Sequence, residues 1–443
     1  MPYFRVNNLK ISDEELISRM MEVIPEDNTI VSERIGGKNI YKTNFLLGKF
    51  LEHTLGYIYI QSKSSMLSAL ALKPNENDYV LDLCSAPGSK TTLLAEMMNN
   101  RGIILANEIS LDRIKVLASN IDRLGITNTI ISNYEGSYLS NFFYEYFDKI
   151  LLDPPCTALG ESRKTNPAII QRNIKRLDEL TQIQFRLLVA AAKMLKVGGE
   201  LVYSTCTTTF EENEYLIEKF ISRYPFEIVP LDLEGFNGNL SGKEVLPDLF
   251  HSIRIEETED DEGFFIVKMK KIKSIPPNQE MIELEVLNRI LEHDSKEIKS
   301  ILSEISFNYG IEESFWGNFL FLLRSNDLYF ISKTNFDFQR INFVRLGMKL
   351  ASNDKKVGWR LSSSAVQIIK NAITKNILNL ERKDQFVSYF FGHKTQVNFP
   401  DSNFVVVKYK NDFLGSGKVR DSILLSYFPK SRRTNEIDFS LIK

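Results

Sequence analysis

From residue 79 the chain alternates short apolar runs with amphipathic stretches. YVLDLC (79–84) has the composition of a buried strand, and SKTTLLAEMMNN (89–100) reads as the helix after it. RGIILANEIS predicts a second strand. DRIKVLASNIDRLG follows with apolar residues every three or four positions and a helix stop at Gly125. TNTIISNY and FDKILLDPP are further strands, the latter ended by Pro154 and Pro155. A long helix is predicted from about 171 to 195, then the strand ELVYSTC and the helix EENEYLIEKFISRY. FEIVPLDL and GFFIVKMKK are closing strands suited to an antiparallel edge. Strictly alternating strands and helices predict a parallel sheet with helices on both faces.

The flanks differ. Residues 11–25 have helical periodicity closed by Pro25, and TNFLLGKFLEHTLG ends at Gly56. GYIYIQ is a short strand and SSMLSALAL a buried helix opened by serines. IKSIPPNQE (272–280) marks a boundary. Beyond it, 281–300 is expected to be helical. LYFIS, NFVVVKYK and ILLSYF then predict one or two small α+β modules. The division expected is 1–72, an N-terminal, helix-rich RNA-binding or packing region; 73–272, the alternating α/β domain; and 281–443, the C-terminal region.

Composition adds exclusions. No apolar run reaches the ~18 residues of a membrane span, and the N-terminus lacks the pattern of a signal peptide. Three cysteines give no disulfide framework and fit a reducing, cytoplasmic setting. There is no Cys-x-x-Cys, and His53, His251, His293 and His393 lie far from the cysteines in sequence, so no metal is expected. The net charge is −2, but residues 321–443 hold 21 Lys and Arg against 10 Asp and Glu. A basic C-terminal third on an acidic body fits a polyanionic partner, and equally a solvated basic face.

The three cysteines carry the chemistry. Cys84, Cys156 and Cys206 each end an apolar run and open a loop, which places all three at the carboxyl edge of the sheet, where ligands bind. A free cysteine more often acts as a small buried hydrophobe; three at the ligand edge weaken that reading. In LDLCSAPGSKT, Ala86 and Gly88 let the backbone approach a ligand, ahead of a helix N-terminus. The pattern is neither Gly-x-Gly-x-x-Gly nor a Walker loop. Glu108, just past the second strand, occupies the place where an acid holds ribose hydroxyls. In LLDPPC, two prolines fix a carboxylate, Asp153, at a strand end.

LDLCSAPGSKT, ANEIS…R, NYEG, LLDPPCTALG…R…NP and YSTCT…ENE, in that order over 57–271, resemble the motifs of the Sun-type RNA (cytosine-5) methyltransferases. FVRLGMKLAS, SYFFGH and FVVVKYKNDFLGSGKVRDSILLSYFPKSRR resemble, more loosely, the PUA-like RNA-binding end of that family's RsmF-like branch, which acts on small-subunit ribosomal RNA. The resemblance implies a Rossmann-like class I methyltransferase domain with a small N-terminal α-rich region and a C-terminal α+β, PUA-like region. It implies S-adenosyl-L-methionine on Cys84, Ser85, Ala86, Pro87, Gly88, Ser89 and Lys90, with Glu108 at the ribose, Glu135 near the adenine, and Asp153 between cofactor and base.

Cys206 maps to the family's nucleophile. Its thiolate adds to cytosine C6 and makes C5 enamine-like. Cys156 maps to the residue that assists release, and Lys90 supplies a cation to lower a thiol's pKa. Asp153 would read the cytosine amino edge or N3, and Cys84 would pack under the cofactor turn. Arg113 and Arg163 are candidates for RNA contacts, and the target base must be single-stranded or flipped. Ser85, Ser89 and Glu135 depart from the family's usual Ala, Gly and Asp, and TNPA is a looser form of its segment.

The partner expected is RNA, ribosomal before transfer RNA, with a monomer and no membrane or metal. A non-catalytic ribosome-assembly factor and an amino-group methyltransferase are the rivals. Two cysteines at the ligand edge argue against both, since amino-group methylation needs no thiol nucleophile.

Overall fold

The computed structural model describes residues 2–161, 166–236, 249, 251–258, 262–277, 281–285, 288–434 and 436–442. At its centre is a parallel sheet of β5 (Tyr79–Asp82), β6 (Ile103–Asn107), β7 (Thr129–Ser132), β8 (Phe147–Leu152) and β9 (Leu195–Thr205), in the order β9-β8-β5-β6-β7. Beyond β9, β12 (Phe264–Lys271) and then β10 (Phe226–Val229) add antiparallel, as the closing strands predicted. Alternate residues of β5 face opposite cores: Val80 lies with the helices on one face, Leu81 with those on the other. Strand order reverses at β5, with β6 and β7 to one side and β8 and β9 to the other. That reversal opens the crevice where open α/β sheets hold ligands.

Helices fall where periodicity put them, with α4 (Ser89–Met97) after β5 and α5 (Leu111–Leu124) after β6. The helix expected over 171–195 is two helices, Pro167–Ile174 and Leu177–Met194, and the Val-Gly-Gly segment after it is already part of β9. Helix was also expected over 281–300. Residues 281–285 and 288–295 are not helical: Ile282 N–H donates to Asn141 O at 2.9 Å, Ile282 and Leu284 pack on the sheet's core, and the helix begins at Lys296.

The N-terminal segment combines its helices with four strands, β1 (Tyr3–Val6), β2 (Ile30–Ile35), β3 (Lys38–Thr43) and β4 (Ile58–Ile60), in the antiparallel order β2-β3-β1-β4. Gly36 and Gly37, both at positive φ, turn β2 into β3; helical periodicity elsewhere in the segment masked this hairpin. One buried cluster fastens the sheet to the body. Arg5, fully buried on β1, donates to Glu96 Oε2 at 2.5 Å and to Thr92 Oγ1 at 2.8 Å on α4, and Lys38 pairs with the same carboxylate. Glu96→Ala would leave Arg5 buried without a counter-charge, which costs about 3–5 kcal/mol. A urea midpoint lowered to match, with an unchanged slope, is the expected result.

C-terminal to the central domain lie two further five-stranded sheets. Between strands of the first, Arg345–Leu346 leaves to pair antiparallel with β7, extending the central sheet on its far edge. Arg345 also pairs with Asp122 on α5. Among the described residues no helix is long and apolar enough to cross a membrane.

Candidate active site

All five parallel strands end at one cavity of about 480 Å³. Cys84 and Ala86 enter it after β5, Glu108 after β6, Glu135 after β7, Asp153 to Cys156 after β8, and Cys206 after β9. Cys156 Sγ and Cys206 Sγ are 3.3 Å apart. Residues fifty positions apart in sequence thus meet because β8 and β9 are neighbours in register.

A buried acid clasps the two cysteine loops together. Glu212 has no exposed surface. It accepts from Thr157 N at 2.9 Å, Gln184 Nε2 at 2.9 Å, Thr209 Oγ1 at 2.8 Å and the Thr157 hydroxyl. Four donors replace its water. Asn213 closes the same loop, accepting from Thr205 Oγ1 at 2.6 Å and donating to Thr207 O at 3.1 Å. The Glu-Asn-Glu run of the sequence therefore positions the thiols. A third layer comes from Gly160, whose N–H donates to Cys206 O at 3.0 Å while its carbonyl accepts from Gly263 N at 2.8 Å. A Cβ on Gly160 would sit 2.0 Å from Gly263 O, so only glycine fits.

Asp153 is held from both sides: Oδ2 pairs with Lys90 Nζ at 2.5 Å and Oδ1 accepts from Ser204 Oγ at 2.8 Å. Burial pulls the Lys90 ammonium down, but Asp153 and the nearby Cys206 outweigh it, and the net shift is upward. The contact with Cys156, burial, and the carboxylates of Glu161 and Asp153 push the Cys206 thiol well above its ordinary value. The expectation that Lys90 leaves a lowered thiol is not met: Lys90 and Cys206 favour each other's charge, but Cys156, burial and the two carboxylates outweigh it and the net Cys206 shift is upward.

An acid stands near that thiol. Glu161, in the turn Leu159–Glu161, is close enough for its charge to help raise Cys206, and burial followed by the Glu262 charge raises its own carboxyl. Sequence reasoning missed Glu161 and Glu212, since neither differs locally from a surface acid. It also missed Ile183, Arg186 and Leu187, which line the cavity from the helix Leu177–Met194; their i, i+3, i+4 spacing was the available signal.

The loop 84–90, expected to hold the cofactor, is built as a turn. Ser85 N and Oγ both donate to Asn107 O at 2.9 Å, tying the end of β5 to β6. Gly88 has φ +99° and packs so closely on Leu117 that a Cβ would meet it at 2.7 Å. Pro87 precedes it, and Ser89 and Lys90 open α4. Cys84 is half-buried and lines the cavity, and burial pushes its thiol up. Glu108 is buried, with Oε1 accepting from Ser110 N at 2.9 Å and Oε2 paired with Arg113 at 3.1 Å. Arg113, expected to contact RNA, also donates to Ala86 O, so its side chain is held by Glu108 and the 84–90 loop. Glu135 lines the cavity and accepts from the Ser137 hydroxyl. Arg163 lies outside the described residues.

Residues 69–270 match the family of 16S rRNA methyltransferases RsmB/F, and residues 375–434 match the RsmF PUA domain. The chain is 33% identical over 403 residues to the ribosomal RNA small subunit methyltransferase F of Shewanella oneidensis, covering 88% of this chain and 81% of that one. The chain belongs to the RsmB/F methyltransferase family. Solved structures resemble it as well. A methyltransferase homologue from Pyrococcus horikoshii is 31% identical with a TM-score of 0.54, over 61% of this chain and 86% of that one. NSun6 from Pyrococcus horikoshii with SFG, an S-adenosylmethionine analogue, is 25% identical with a TM-score of 0.51, over 62% and 91%.

As an RsmB/F enzyme the protein is an S-adenosylmethionine-dependent RNA methyltransferase. The cavity fits that cofactor. Its volume falls within the ~300–1,000 Å³ of small-molecule sites. A buried acid stands at the end of the second strand, and a glycine turn precedes α4.

Proposed function

We propose that the protein methylates C5 of a cytosine in small-subunit ribosomal RNA through a covalent adduct on Cys206. The observation that carries this reading is the pair of thiols 3.3 Å apart beside the Asp153–Lys90 ion pair. An amino-group methyltransferase has no use for either thiol.

Glu108 would hold the ribose, Glu135 the adenine side, and the 84–90 turn the remainder of the cofactor, which supplies an electrophilic methyl group when bound. Glu161 takes the Cys206 proton as the sulfur adds to C6, leaving C5 nucleophilic. Asp153 holds the base at its amino edge, favouring cytosine over uracil. After C5 is methylated, Cys156, as a thiolate whose own proton has passed to solvent, takes the C5 proton and becomes the neutral thiol. The C5–C6 double bond re-forms and Cys206 leaves as the thiolate. The basic 321–443 region, with its PUA match, would hold the RNA outside the cleft, in the cytoplasm where ribosomes are built.

The test is transfer of labelled methyl to unmodified small-subunit RNA, followed by bisulfite sequencing. One protected cytosine is expected. Methyl on another base, or on transfer RNA alone, would displace the reading. Because the Cys206 thiol is raised, the fraction ready to attack grows with pH. The rate in this assay is expected to climb from neutral to mildly alkaline pH.

A further inference from the structure

We propose that Phe210 and Tyr215 form a stacking platform for the nucleotide next to the target cytosine. This rests on RNA being the substrate and names how the cleft holds it. The two rings lie 5.8 Å apart at an interplanar angle of 34°, and they remain 44% and 51% exposed. Single exposed hydrophobics are ordinary on a protein surface; two adjacent exposed aromatic rings on the loop that leaves Cys206 are less so.

The platform is rigid. Arg254 lies over the Phe210 ring, 4.5 Å from its centroid. Its guanidinium is fixed by the fully buried Glu214, with Nε to Oε1 at 2.9 Å, and by Thr208 O at 2.8 Å. The turn bearing both rings is closed by Tyr215 N donating to Phe210 O at 3.0 Å, and its stem is the Glu212–Asn213 clasp. Rings held this way lose little freedom when a ligand stacks on them.

The platform is also continuous with the thiols. Phe210 follows Cys206 by four residues. A Cβ on Gly263 would meet the Thr208 methyl at 2.8 Å, so the two segments run close together, and Gly263 N donates to the Gly160 carbonyl while Gly160 N donates to Cys206 O. A cytosine brought to Cys206 must leave its stack, and its neighbour loses a face. Aromatic rings restore that face for any base, at about 1–3 kcal/mol per base. At 1.36 kcal/mol per tenfold, that is roughly 5- to 150-fold in affinity.

The experiment uses the full chain and a fluorescent RNA oligonucleotide carrying the methylated cytosine. Phe210→Ala and Tyr215→Ala are each expected to weaken binding and raise KM by about tenfold, leaving kcat and cofactor affinity near wild type. Phe210→Tyr should restore binding. An abasic site beside the cytosine should weaken wild-type binding by the same factor and leave Phe210→Ala unchanged. Wild-type affinity in both alanine variants, or a loss confined to kcat, would overturn the platform. If the variants lose RNA affinity while wild type methylates a base other than cytosine, the platform stands and the cytosine reading falls.

Discussion

Cys206→Ala is expected to lower methyl transfer by about 10⁴-fold or more, because it removes the group that makes C5 reactive. Cys156→Ala is expected to fail differently. The sulfur of Cys206 can still add and C5 can still be methylated, but the acceptor 3.3 Å away is gone. The protein then stays bonded to its product, and an RNA adduct survives on a denaturing gel. Both thiols hang from one buried clasp, so a careless substitution could collapse the site. Replacing either cysteine by alanine leaves Thr157, Thr205 and Glu212 in place. Cofactor binding by each variant is therefore expected to remain. A Cys206→Ala enzyme with wild-type activity would move the nucleophile elsewhere in the cleft. An adduct in Cys206→Ala but not in Cys156→Ala would exchange the two roles.

What made these residues legible was local. Each strand of the parallel sheet is a short apolar run with a polar or proline stop, so its end can be read from sequence, and the functional residues sit at those ends. Cys84, Glu108, Asp153, Cys156 and Cys206 stand at such ends, whereas the role expected of Lys90 came from the family resemblance. What could not be read depends on partners remote in sequence. Glu212 is a glutamate among glutamates until Thr157 and Gln184 arrive from other elements. Arg5 looks like a surface charge until Glu96, 91 residues away, accepts from it. The strand Arg345–Leu346 is two residues long, too short for a period, and exists only because β7 offers an edge. The direction of the Cys206 shift was missed for a related reason. A lysine near a thiol lowers its pKa only if nothing else outweighs it, and here Cys156, burial and the carboxylates of Glu161 and Asp153 do.

Asp153→Ala is expected to reduce the single-turnover rate at saturating RNA and cofactor by about 10³-fold, in line with the loss of one preorganised polar group aimed at the reacting base. Two losses combine. The base is no longer held at its amino edge, and Lys90 remains buried with its principal partner removed. Asp153→Asn keeps the shape and the Ser204 contact but not the charge, so its rate should fall between those of wild type and alanine. Its amide also presents donors to a base carbonyl, so discrimination against uracil should weaken. The 2.5 Å pair predicts a further signature. Groups in direct contact are not independent, so the Lys90→Ala, Asp153→Ala double variant should lose much less than the product of the single losses. Calorimetric binding of the cofactor separates this from a failure to load, because Asp153 also lines the cavity. A loss of less than tenfold at saturation would reduce Asp153 to a structural anchor for Lys90. Strictly additive losses would mean that Lys90 acts on the thiols or the base by a route that does not pass through the carboxylate.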